Sequence, residues 1–515
     1  MKNLISKISV VLILSAFIHA YGYAQPKYEF RGVWVATVDN IDWPSNKFLG
    51  TDSQKLEFKH LLDLHFHNGM NAIIAQIRPS TDAFYPSQYE PWSEWLTGIQ
   101  GAPPIPYYDP LEFMIEETHK RGMEFHAWMN PYRAEFKLGV SSISATHITR
   151  VHPEWFLNYG DKKYFDPGNK AAQQFVGNIV RDVVNRYAID AIHFDDYFYP
   201  YRIAGKEFPD SVSFSLYGKG MQKDNWRRSN VDSIISLLAK IIKKENKYCK
   251  FGISPFGVWR NIDKDPEGSN TKAGQTNYDD LYADILLWLK LKWIDYVAPQ
   301  LYWEFSQKVV GFGTLIDWWA KHSYGRQLYI GQGIYRALES KSVAWKNVNE
   351  LPNQIKKIRE YSQVQGSIFF SSKSFQYNPN GWNDSLKNNL YKYPAIVPPM
   401  PWIDSSKPPL PNINKLNADD SVLDVELSGN KKGIKEYVLY LSDKRENLTK
   451  NLPYEILPAT VNLIYHIKKT FSSRRTLYFA ISSISNTNNE SPNPPVYSMT
   501  FTENAANHWL IQKIN

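Results

Sequence analysis

From residue 28 onward, short apolar runs alternate with longer amphipathic stretches. Residues 30–38, 72–77, 124–129, 191–195, 250–254, 294–301, 327–331 and 366–370 read as eight strands. Between them, helical spacing predicts helices over 54–68, 110–121, 170–187, 278–290, 315–322 and 351–361, with a last piece at 383–390. The clearest helix carries Val231, Ile234, Ile235, Leu238, Ile241 and Ile242 on one face of a 3.6-residue period. Between the third strand and the helix at 170 the pattern reads as a long loop.

Eight strand–helix units predict a TIM-like (β/α)8 barrel of α/β class. A doubly wound sheet is the competing fold, but no Gly-rich phosphate loop follows any strand. Pro394, Pro398, Pro399, Pro401, Pro408, Pro409 and Pro411 then crowd one stretch, which reads as a stiff linker. Beyond it the period changes to two, with strands expected at 421–427, 437–441, 461–467, 476–481 and 496–501. This predicts a small all-β sandwich, fibronectin type III-like.

The N-terminus has Lys2 and Lys7, an apolar run at 8–18, then Gly22 and Ala24 before Gln25. That layout predicts a signal peptide. The run is too short to span a bilayer core of about 30 Å, and no later stretch is apolar enough. The expected layout is a signal peptide at 1–24, a barrel at 25–393, a linker at 394–411 and a sandwich at 412–515. The expected location is outside the cytoplasm, in the periplasm or cell envelope, with no integral membrane segment after signal removal.

Composition narrows the partners. Hydrophobic residues at 43% and charged residues at 21% exclude disorder over most of the chain. Aromatic residues reach 15%, which suits either a large aromatic core or grooves that stack against sugars. The net charge of +8 includes Lys2 and Lys7 and does not argue for nucleic acid. Cys249 is the single cysteine, so no intramolecular disulfide forms.

Barrel active sites lie at the C-terminal ends of the strands. There the chain places Gln76, Arg78 and Asp82; Trp128, Asn130, Tyr132 and Arg133; His193, Asp195, Asp196 and Tyr197; Trp259 and Arg260; Gln300, Tyr302 and Glu304; and Gln332. Strand one contributes Arg31. Polar and aromatic groups at nearly every strand exit favour a carbohydrate cleft over a structural rim. Glycoside hydrolysis needs two carboxyl groups, one charged and one protonated. Asp195 is the first candidate for the charged role and Asp196 the second. Glu304, beside Tyr302 and Trp303, is the candidate acid. His126 and His193 could suggest a metal, but no Cys cluster or HExxH spacing accompanies them. Hydrogen bonds to a sugar or carboxylate are the expected use, with no metal or cofactor.

The motifs together resemble the glycosyl hydrolase-like family 10 domain. They are FRGVWVAT at 30–37, DWPS at 42–45, QIRP at 76–79 with DAFYPS at 82–87, HAWMNPYR at 126–133, HFDDYFYP at 193–200, SPFGVWR at 254–260 and APQLYW at 298–303. The resemblance covers roughly 28–340. It implies a TIM-like barrel, often followed by a fibronectin-like domain. It also implies a glycosidase of glycan strands, in particular peptidoglycan strands stripped of their stem peptides. A glycosidase of another polysaccharide and a non-catalytic glycan-binding protein are the alternatives. Both candidate carboxylates favour the enzyme, and nothing points to a particular protein partner.

Overall fold

A computed structural model describes residues 25–418, 422–428, 433–459, 463–466, 476–502 and 508–514. The expected signal peptide at 1–24, and the edges of the strands expected at 421–427 and 461–467, lie outside the described residues. The chain divides into two compact units. One comprises Arg31–Thr118 and Met123–Leu386, and the other the remaining chain.

The larger unit is a closed barrel of eight strands, all paired in parallel where a register is recorded. They are β1 (Phe30–Val35), β2 (Ala72–Arg78), β3 (Glu124–Met129), β4 (Ala191–Phe194), β5 (Lys250–Ile253), β6 (Tyr296–Val297), β7 (Gln327–Gln332) and β8 (Val364–Phe369). They neighbour one another in chain order. Helices between them include α1 (Thr51–His67), α2 (Pro110–His119), α3 (Lys170–Arg186), α4 (Lys223–Glu245), α5 (Ile285–Lys290), α6 (Phe312–Lys321) and α7 (Glu350–Ile358). On α4 the six periodic apolar residues are all buried. Each such side chain contributes about 1.5–3 kcal/mol by leaving water, so this face holds the helix down.

The structure departs from the sequence pattern in three places. β6 shrinks to two residues because Pro299 has no N–H to offer the ladder. Isolated bridges from Gln300 to Phe256 and Gly331 continue the pairing. The helix expected over 278–290 breaks into Asn277–Asp280 and α5, with Tyr282 at φ +52° between them. The loop after β3 contains a three-stranded sheet of Arg133–Glu135, Phe156–Tyr159 and Lys162–Phe165.

The smaller unit is all-β. Its strands are β9 (Asn412–Ala418), β10 (Val422–Ser428), β11 (Ile434–Ser442), β12 (Glu455–Pro458), β13 (Leu463–His466), β14 (Thr476–Ser485), β15 (Val496–Thr502) and β16 (His508–Ile514). One sheet runs β9-β10-β13 and the other β12-β11-β14-β15-β16. Leu423, Val425, Tyr437, Leu439, Leu477, Phe479 and Met499 share the core between them.

Period-two alternation sends Val438 and Tyr440 to the opposite face of the second sheet, where they too are buried. Their cover is the proline-rich stretch. Ile396 packs against Val438, Tyr440, Ala480 and Ile484. Asn489 Nδ2 donates to the Asp404 carbonyl at 2.8 Å, and Ser483 Oγ to that of Pro409. Within the stretch expected as a stiff linker, residues 395–398 and 400 are thus buried, while most of 401–411 is exposed. Residues 27–29 join the same face: Glu29 N donates to Ile396 O at 3.0 Å, and Lys27 pairs with Glu490 at 2.8 Å.

Candidate active site

A cavity of about 340 Å³ opens among the strand exits. Trp34 on β1 and Trp128 on β3 line it, with Asp195, Asp196, Tyr197 and Tyr201 after β4. Ser254 and Phe256 follow β5; Gln300, Tyr302 and Trp303 follow β6; Tyr335 and Arg336 follow β7; and Phe370 follows β8. Arg133 from the loop after β3 completes one wall. Flat rings and a few polar groups in a concave site suit a sugar, whose C–H faces stack while its hydroxyls need partners.

Asp195 and Asp196 are both buried at the end of β4 but have different surroundings. Asp195 accepts from Trp128 Nε1 at 3.0 Å and from Asn130 Nδ2 at 3.0 and 3.2 Å. Burial pushes its carboxyl up, opposed by the Arg133 charge and these donors. N–H donors on both oxygens favour the charged form. Asp196 accepts from the Tyr201 hydroxyl. Burial and the neighbouring Asp195 push it up to about 7. Like charges so close resist double ionisation, which adds to the rise at Asp196.

Beneath the cavity a hydrogen-bond chain runs through the barrel interior. Trp34 Nε1 donates to His193 Nε2 at 3.1 Å. An indole N–H can only donate, so the His193 proton sits on Nδ1 and is given to the Tyr296 oxygen at 2.9 Å. Tyr296 in turn donates to His126 Nδ1 at 2.9 Å, and His126 Nε2 to Glu124 at 3.0 Å. Glu124 also pairs with Lys250. Burial holds both imidazoles below their ordinary pKa, hence neutral. Gly252 makes this possible, because a Cβ there would lie 1.9 Å from Tyr296 Cζ. Among the described residues, no group of three or more His, Cys, Asp or Glu is placed to hold a metal.

The family model described as glycosyl hydrolase-like 10 matches residues 29–350. The chain belongs to the glycosyl hydrolase-like 10 family. With it comes the enzyme class, hydrolysis of glycosyl bonds. The chain is 48% identical to glycosyl hydrolase YngK of Bacillus subtilis, over 80% of this chain and 82% of that one. It is 35% identical to glycosyl hydrolase DigH of Escherichia coli K12, over 67% of this chain and 83% of that one. Among solved structures, the catalytic domain of a Paenibacillus polymyxa β-amylase aligns loosely. Its TM-score is 0.48 at 12% identity, covering 72% of this chain and 99% of that one.

In this glycosyl hydrolase-like 10 chain the cavity gathers Asp195, Asp196, Trp128, Arg133, Tyr197, Gln300 and Tyr302 from the residues expected of a site. Asn130 sits behind them, its Oδ1 accepting from Arg133 N at 2.8 Å while its amide holds Asp195. The others do not line it. Glu304, the expected acid, points elsewhere and accepts from Ser342 Oγ at 3.0 Å. Arg31 lies near the start of β1, at the opposite end of the barrel, beside Asn71. Gln76 Oε1 holds the backbone N–H groups of Thr37 and Val38 at 3.1 and 2.9 Å.

Arg78 is buried in an ion pair with Glu90 at 2.6 Å. Asp82 accepts from Ser80 N and Gln100 Nε2, and burial pushes it up to about 7. Tyr132 packs on Phe165, and Trp259 stacks on Trp318 at 5.8 Å. Arg260 is paired with Asp279 and Asp265. Gln332 is tied to Gln354 at 3.1 Å, and His193 belongs to the interior chain. Sequence reasoning passed over Tyr201 and Phe370. The first stands just past the HFDDYFYP motif, and the second is the last residue of the eighth apolar run.

Proposed function

We propose that this chain is an exported hydrolase that cuts glycan strands of peptidoglycan from which the stem peptides have been removed. The observation that carries the catalytic part is the unequal aspartate pair on the cavity floor. Asp195, held by Trp128, Asn130 and the field of Arg133, acts as the charged group at the anomeric centre. Asp196, protonated up to about pH 7, gives its proton to the leaving oxygen. Two neighbouring carboxyl groups, one held by N–H donors beside a guanidinium and the other by a tyrosine hydroxyl, offer the charged and the protonated partner that glycosyl transfer to water requires.

Trp34, Trp128, Tyr302 and Phe370 provide rings on which the sugar stacks. The peptide-free substrate follows from the family resemblance. Export follows from the basic, apolar and small-residue order of residues 1–24. The order of the all-β strands, with the first, second and fifth in one sheet, supports a fibronectin type III-like reading of that unit.

The test is to incubate the full chain with intact and amidase-treated peptidoglycan and to identify released fragments by mass. Release of short saccharides from the treated material alone is expected. Equal release from both, or none from either, would overturn the substrate assignment. N-terminal sequencing of the secreted protein should begin at Gln25.

A further inference from the structure

The cavity carries two cations with different commitments. Arg133 donates from Nε to Pro79 O at 3.0 Å and supplies the charge that favours ionised Asp195. Arg336 also lines the cavity, with its guanidinium 5.1 Å from the Tyr335 ring centre. Its Nε is buried without a hydrogen-bond partner. Three other barrel arginines answer carboxylates: Arg78 pairs with Glu90, Arg227 with Asp210 and Arg260 with Asp279. Arg336 has no carboxylate partner among the described residues.

An arginine fork in a sugar-sized, aromatic cleft is matched to a planar anion. Asp195 lies in the field of Arg133 and Asp196 is engaged by the Tyr201 hydroxyl, so the charge of Arg336 is left over for the ligand. We infer that Arg336 binds a free carboxylate carried by the glycan. The inference rests on the glycosidase reading of this same cavity and deepens it. In a peptide-free peptidoglycan strand the lactyl group of muramic acid ends in such a carboxylate. In a peptide-bearing strand the same carbonyl is an amide, neutral and extended by a chain. Arg336 would then distinguish the two strands by charge. A uronic acid offers the same chemistry on the sugar ring.

The test compares four probes on the full chain. They are peptide-free strands, the same strands with lactyl groups converted to methylamides, oligosaccharides containing glucuronate, and chitin oligosaccharides. Wild type should favour the free carboxylate over its methylamide in KM by about 10- to 100-fold, the range of a charge-assisted hydrogen bond. Arg336→Gln should bring that ratio to within about threefold of unity, and Arg336→Lys should recover part of it. Preference for glucuronate over muramate would assign the carboxylate to a uronic acid and still support the inference. A wild-type ratio in Arg336→Gln, or no preference in wild type, would overturn it.

The parent reading is tested separately. If no probe is cut, the glycosidase reading of the substrate fails. Calorimetry with Asp196→Asn then decides the inference alone. Tighter binding of the carboxylate strand than of its methylamide supports it, and equal or absent binding overturns it.

Discussion

Replacing Tyr296 by Phe removes one oxygen from the centre of the barrel and keeps the ring. That oxygen is 2.9 Å from both His126 Nδ1 and His193 Nδ1. Without it the His193 N–H loses its acceptor and His126 Nδ1 loses its donor, and both imidazoles are fully buried. Leaving a buried polar group unpaired costs about 1–3 kcal/mol, so the two together should cost about 2–6 kcal/mol. The ring contacts with Tyr329 and His193 survive and contribute nothing to the loss. Urea unfolding of the barrel transition, wild type against Tyr296→Phe, measures this directly through the midpoint at unchanged slope. Trp34 hangs from the same chain, so its near-ultraviolet dichroism should change in the folded variant. A loss under about 0.5 kcal/mol would refute the reasoning, because it falls below the cost of even one unpaired group.

Gly252→Ala should be worse, since its Cβ would overlap a ring pinned through its hydroxyl. Loss of about 3 kcal/mol or more, or failure to fold, is expected, and a melting temperature within about 2 °C of wild type would count against it. Hydrolysis of glycans should fall as pH rises through about 7, because the acid Asp196 is active below its pKa and spent above it. Asp196→Asn should lose about 10²–10⁴-fold on glycans and far less on aryl glycosides with good leaving groups. Asp195→Asn should abolish turnover of both, and residual turnover at wild-type rate would remove it from the mechanism. Glu304→Gln should change kcat/KM by less than about threefold, since its contact is Ser342 rather than the cavity; a large loss would restore it as the acid.

The barrel was legible because its strands are dense apolar runs and its helices keep a 3.6-residue period. The Asp195–Asp196 pair was legible because it closes the cleanest of those runs. In the proline-rich stretch, composition reports stiffness and not cover. Ile396 becomes core only because β11 alternates apolar residues onto both faces, and that requirement lies some 40 residues further along. The inserted sheet after β3 was illegible because Arg133–Glu135 is too short to display a period.

The site residues that failed to reach the cavity share a physical reason. A barrel this rich in buried polar groups must satisfy them internally, and residues at strand exits serve that need as readily as they serve a ligand. Arg78 with Glu90, and Gln76 with the Thr37 and Val38 amides, fix the loops that form the rim. His193 illustrates the boundary. It stands two residues before Asp195 and shares its inward direction, yet it is one layer deeper. Its nitrogens are occupied by Trp34 and Tyr296, whereas Asp195 meets the cavity. Residue type and strand position set which side chains point inward. The depth of each along the barrel axis decides whether it meets a sugar or another side chain, and that depth depends on the registers of neighbouring strands.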